Sequence, residues 1–224
     1  MLHIAIEQDE SSIHDPGDNS FLPLEIEKLF EIAQTGATGA VNSLGGFLRL
    51  NAPQIHLNCL TFLPLPILID RIKMFYRDHL AFHLRFSGEI SGEIYALFRE
   101  QDAITLIQQV TGNKRIKSVK NMSRIEISAI SELVNILSNS FWRALTEKAL
   151  LNWWITPPVS VNDLSRILTY SSKVFTLDHL LINFEYLIPI LDLRIQLIIM
   201  PAKSAIKRIL SKLSQPAAGE AVNS

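Results

Sequence analysis

A chain of 224 residues with 48% hydrophobic side chains is long and apolar enough to bury a full domain core. Its formal net charge of −1 removes the electrostatic pull towards nucleic acid or anionic lipid that a basic chain would have. The single cysteine, Cys59, cannot form a disulfide within the chain, which points to a reducing compartment.

The first ten residues show no basic segment followed by an apolar one, so no signal peptide is expected. The greasiest run, Cys59 to Ile69, is short for a membrane span and carries Pro64 and Pro66. The expectation is a soluble cytoplasmic protein with no membrane and no nucleic-acid partner.

Residues 1–20 are predicted to be a flexible lead-in, because 8–19 are polar and rich in turn formers. One pattern then follows twice. A long helix at about 22–49 leads to strands near 53–60, 81–87 and 90–98, and a shorter helix at about 101–111 is ended by Gly112. The second copy has a helix at about 124–151, strands near 157–161, 181–187 and 191–199, and a final helix at about 202–213. Alternation of Leu191, Leu193, Ile195 and Leu197 with Asp192, Arg194 and Gln196 is the mark of a half-buried strand. The predicted fold class is α+β. A pseudo-twofold αβββα repeat forms a six-stranded, mainly antiparallel sheet with two long helices packed on it. A single domain over 21–214, made of repeats 21–112 and 122–214, is expected to end in a flexible tail at 215–224.

Ser123 and Glu126 fit a capping box at the start of the second long helix. A step of 100° per residue puts Ile130, Leu133, Val134, Leu137 and Phe141 on its apolar side. Ser128, Glu132, Asn135, Asn139 and Trp142 fall on the other side, where Trp142 suits a contact surface. In the first long helix Leu29, Ile32, Ala33, Gly36 and Ala40 face inward, and Glu27, Glu31, Gln34 and Thr38 outward. Its small residues from Gly36 to Ala40 disfavour an isolated helix and point to close backbone packing against the sister helix.

The two outward faces carry the same polar trio, about 101 residues apart: Glu27, Glu31 and Gln34, then Ser128, Glu132 and Asn135. Residues three and four apart are neighbours on a helix, so each trio presents a carboxylate beside a carboxamide. Such a pair can dock on a partner and aim a water molecule. His79 and His83 have metal-ligand spacing only if they lie on a helix, and Phe82 to Phe86 reads as strand; no metal site is expected. No Gly-rich phosphate loop, Ser/His/Asp pattern or CxxC pair is present in the sequence, which argues against self-contained nucleotide or metal chemistry.

These residues resemble the CheC/CheX/FliY phosphatases of bacterial chemotaxis. That family's motif is Asp or Ser, three residues, Glu, two residues, Asn, then about 22 residues to a Pro; Ser128, Glu132 and Asn135 match it, with Pro157 and Pro158 at the right distance. Residues 31–40 (Glu-Ile-Ala-Gln-Thr-Gly-Ala-Thr-Gly-Ala) resemble the family's first helix, and residues 86–92 (Phe-Ser-Gly-Glu-Ile-Ser-Gly) its mid-domain hairpin. The likeness spans roughly 22–213. It implies a CheC-like fold and hydrolysis of the aspartyl phosphate on a phosphorylated CheY-type response regulator. By the same resemblance Asn135 positions the attacking water and Glu132 pairs with the regulator's active-site lysine. Ser128, Glu27, Asn139 and Trp142 are assigned to docking, and Mg²⁺ is supplied by the regulator. The first site departs from the pattern: Gln34 stands for Asn, adding a methylene and a rotor, and Glu27 stands for Asp or Ser. The alternative is a non-enzymatic adaptor, a flagellar-switch component or a partner of CheD. The cognate regulator and the oligomeric state are left open.

Overall fold

A computed structural model describes residues 3–4, 23–50, 56–64, 67, 69–70, 79–149, 151–161, 164 and 180–213. The expected lead-in, apart from residues 3–4, and the expected tail lie outside these. In chain order the elements are β1 (His3–Ile4), α1 (Pro23–Leu48), β2 (His56–Pro64), β3 (His79–Gly88), β4 (Gly92–Arg99) and α2 (Glu100–Thr111). Then come α3 (Arg124–Ala149), β5 (Trp153–Ile155), β6 (Val159–Val161), β7 (Leu180–Ile188), β8 (Leu193–Pro201) and α4 (Lys203–Leu213). Short 3₁₀ turns at Val119–Asn121 and Pro189–Leu191 introduce α3 and β8.

Five long strands run in the order β2-β7-β8-β4-β3, every neighbouring pair antiparallel. The sixth position is shared: β5 pairs with one end of β3 (Phe86 with Ile155) and β6 with the other (Ala81 with Val161). The two-residue β1 lies parallel on the outer edge of β2. The expected second-half strand near 157–161 is therefore two short pieces, and Trp153 and Trp154 belong to the first. With β5 and β6 counted as one, the order is palindromic: the last strands of each half, β4 and β8, pair at the centre, and each half's first strand sits beyond the other half's second. That is the pseudo-twofold α+β arrangement the repeated pattern predicts.

Period-two alternation decides which side chains face the helices. Phe82, Leu84 and Phe86 on β3, Ile94, Ala96 and Phe98 on β4, Phe184 and Tyr186 on β7, and Ile195 and Leu197 on β8 form one core with α1 and α3. The intervening Ala81, Tyr95, Leu97, Ile198 and Met200 make a smaller cluster on the opposite face with Ile69, Val161 and Leu164. On β8 the alternation holds from Leu193 to Leu197 and then gives way to continuous burial, because both faces are covered there.

The shorter helix α2 is ended and anchored by residues of its own sequence. Gly112 takes a left-handed conformation (φ 71°), and its N–H closes α2 on the Gln108 carbonyl at 2.9 Å. Asp102, buried in the first turn of α2, accepts from the Arg99 guanidinium and from the Arg194 backbone N–H, tying α2 to β8.

Candidate functional site

The two trios stand on α1 and α3, and these helices pack on each other through a size match. On α3 Leu137, Phe141 and Trp142 are fully buried; at the corresponding places α1 has Gly36, Ala40 and Val41. A Cβ built at Gly36 would lie 2.4 Å from Phe141 Cδ2 and 3.0 Å from the Phe141 carbonyl oxygen, so only glycine allows this approach. The Ser43 and Ser140 hydroxyls meet across the same interface at 2.6 Å. Close packing of the small-residue stretch against the sister helix is what the sequence predicts.

The start of α3 is set by the capping box. Ser123 N–H donates to Glu126 Oε2 at 2.7 Å, and Glu126 N–H reaches Ser123 Oγ at 3.4 Å. Asn113 Nδ2 adds a bond to Glu126 Oε1. The Ser123 amide, together with these other donors, holds the Glu126 carboxyl below its ordinary pKa. Upstream, the Ser118 hydroxyl and the Val119 N–H both donate to Glu100, fixing the basic connector that carries Lys114, Arg115, Lys117 and Lys120, all exposed.

On this helix Ser128 and Glu132 are exposed, and Asn135 and Asn139 are part-buried. Asn139 Nδ2 donates twice, to the Asn135 backbone oxygen at 2.8 Å and to Asn135 Oδ1 at 2.9 Å. Pro158, at the distance the motif requires, lies beside the same turn and accepts a long bond (3.5 Å) from the Ser131 hydroxyl. An open depression of about 500 Å³ runs along this edge, lined by Met122, Ile127, Ser128, Ser131, Pro158 and Val159 among others. Ser131 and Val159 are additions that the motif alone does not indicate; the sheet brings β6 to this place.

On α1 Glu27, Glu31, Gln34 and Thr38 are all exposed. Thr35 and Thr38 turn their hydroxyls onto the carbonyls of Glu31 and Gln34, each at 2.9 Å. No hydrogen bond or ion pair among the described residues joins one trio to the other.

Trp142 requires a correction. It is 1% exposed, not on the outer face: its ring lies 4.0 Å from that of Phe86, 5.5 Å from Phe141 and 6.0 Å from Trp153. The indole is long enough to reach past the edge of the polar stripe to β3 and β5, and burying it outweighs its place on the helical wheel. It is core and cannot contribute to a docking surface. His79 and His83 sit on strand β3, four residues and roughly 13 Å of strand apart. Among the described residues no three His, Cys, Asp or Glu side chains group as metal ligands, and no described helix is long and apolar enough to cross a membrane.

No family model and no curated protein matches the chain. Solved structures do. FliY from Thermotoga maritima superposes with a TM-score of 0.65 at 14% identity, covering 86% of this chain and 97% of that one. The FliM middle domain from H. pylori gives 0.59 at 12% identity, over 86% and 99%. The chemotaxis protein CheX from Desulfovibrio desulfuricans gives 0.51 at 14%, over 77% and 99%. With two helices on a palindromic antiparallel sheet, and nearly the whole length of each of these structures covered, the chain has the CheC-like fold shared by CheX, FliY and the FliM middle domains.

Proposed function

We propose that this protein is a phosphatase of phosphorylated CheY-type response regulators in chemotaxis signalling. One observation carries the reading: exposed Glu132 stands beside the part-buried carboxamide of Asn135, one turn from Ser128, on a capped and tightly packed helix of a CheC-like fold. The regulator docks along α3, with the depression between Ser128 and Val159 taking its margin. Glu132 pairs with the regulator's active-site lysine. Asn135 holds a water in line with the phosphorus. The water oxygen bonds to phosphorus as the bond to the aspartate oxygen breaks, leaving a free carboxylate and inorganic phosphate that keeps the water's protons. The regulator brings the Mg²⁺. An amide suits this work because phosphoryl transfer needs positioning and charge stabilisation more than proton chemistry from the protein. The exposed lysines and arginine of the connector before α3 favour approach of an acidic surface.

The test is decay of a purified, phosphorylated CheY-type regulator with and without this protein. Acceleration at substoichiometric protein is expected. Decay unchanged at stoichiometric protein, across the host's CheY-type regulators, would refute the reading. A second reading has its own support: FliM middle domains share the fold with TM-scores of 0.56 and 0.59. Under it the protein is a non-enzymatic module that holds a phosphorylated regulator, a flagellar-switch component or a partner of CheD. Tight binding of the phosphorylated regulator without faster decay would favour it.

A further inference from the structure

We propose that Asn139 is a positioning residue for Asn135, locking its carboxamide in the orientation that aligns water. This deepens the phosphatase reading and rests on it. Asn139 is anchored first by the donation from its Nδ2 to the Asn135 backbone oxygen (2.8 Å). A backbone carbonyl can only accept, so that contact must be made by the amide nitrogen, and the nitrogen's second proton is directed at Asn135 Oδ1 (2.9 Å). The end of Asn135 that meets Asn139 must therefore be its oxygen. The side chain loses its freedom to flip, while Oδ1 keeps one lone pair and Nδ2 makes no bond to any described residue. A carboxamide free to rotate would present oxygen and nitrogen in turn, and water would be aligned for only part of the time.

The corresponding place on α1 is Thr38. Its hydroxyl has one proton, which goes to the Gln34 backbone oxygen, so it has no proton left to clamp the Gln34 carboxamide. The double donation is a property of Asn139.

The experiment measures single-turnover decay of a phosphorylated CheY-type regulator at increasing concentrations of wild type, Asn139→Ala, Asn139→Asp, Asn135→Ala and the double Ala variant. Asp has the shape of Asn and only accepts, so it can make neither donation and releases the Asn135 carboxamide. Asn139→Ala and Asn139→Asp should each lower the maximal rate by roughly tenfold, with the half-saturating concentration moving by no more than about twofold. Asn139→Ala should cost nothing further once Asn135 is Ala, because the positioned group is gone. Slow exchange of the Asn139 side-chain amide protons by NMR, lost in part in Asn135→Ala, checks the bonds without reference to turnover. Wild-type rates in Asn139→Asp, multiplying losses in the double variant, or fast exchange of both amide protons would overturn the inference while leaving the phosphatase reading intact. A wild type that does not accelerate decay would remove both. If Asn139→Ala proves poorly folded, the isosteric Asp variant decides.

Discussion

The outer faces of α1 and α3 carry the same pattern of charges and amides and are built to different standards. On α3 the amide is short, part-buried and clamped by a second asparagine; on α1 it is long, exposed and unclamped by any described residue. At their starts, α3 has a reciprocal capping box, and the first residue of α1 is Pro23, whose fixed φ suits a first turn. Where the two helices meet at Gly36, α3 supplies the Phe141 ring and α1 the space for it. The difference predicts that the repeated motif repeats its proposed chemistry only where the neighbouring residues hold it still.

The largest effect is expected from Trp142→Ala. Removing a fully buried indole from among Phe86, Phe141 and Trp153 should destabilise the fold by about 3–5 kcal/mol, read as a lower denaturant midpoint. Docking by the molecules that remain folded should be unchanged; a selective loss of docking at unchanged stability would return Trp142 to the outer face.

Asn135→Ala should lower regulator dephosphorylation on the order of 100-fold while binding of a regulator carrying a phosphoryl mimic survives. Gln34→Ala should cost less than about threefold on the same scale, since an exposed amide with its extra rotor contributes less alignment. The reverse ranking would show that α1, not α3, is the working helix. The contrast can also be narrowed from the other side: Gln34→Asn together with Thr38→Asn copies the amide and its clamp onto α1 and should raise turnover.

Gly36→Ala tests what the two faces share. The added methyl has no room between the helices, and an overpacked crossing of this kind costs about 1–3 kcal/mol. Both faces rest on that crossing, so thermal stability and turnover should fall together. A stability unchanged within error would mean that the helices can part without loss.

The smallest effect should be a pH dependence of the α3 cap. Glu126 has a folded pKa below that of the unfolded chain, where glutamate lies at about 4.3. Its contribution is therefore fully present at neutral pH and fades as pH falls through the lower, folded value. Denaturation of wild type and Glu126→Gln should differ at about pH 7 and converge as the pH falls below the folded value; a difference that grows in acid would contradict the direction of the shift.

Much of this molecule could be read before any coordinates. The 100° step sorted both long helices correctly for Ile130, Leu133, Val134, Leu137 and Phe141, and for the four polar residues of α1 from Glu27 to Thr38. Alternation located β8, and Ser123 with Glu126 located the start of α3. Trp142 escaped because a helical wheel records the direction of Cα–Cβ and not the reach of an indole. The splitting of one strand position between β5 and β6 escaped because three residues are too few to show a period. The clamp between Asn139 and Asn135 depends on two rotamers, which residue spacing does not encode.

The interleaving of the two halves has a consequence in time. β2 finds its antiparallel partner only in β7, more than a hundred residues later, and β4 pairs on one side with β8, later still. At about 5–20 residues per second a ribosome leaves these edges waiting for several seconds. During that interval the nascent first half carries open strand edges and an uncovered apolar face, the features that lead chains to associate wrongly. The helix bearing Asn135 is also made before β7 and β8 exist, so its inner face has only part of the sheet to lie on.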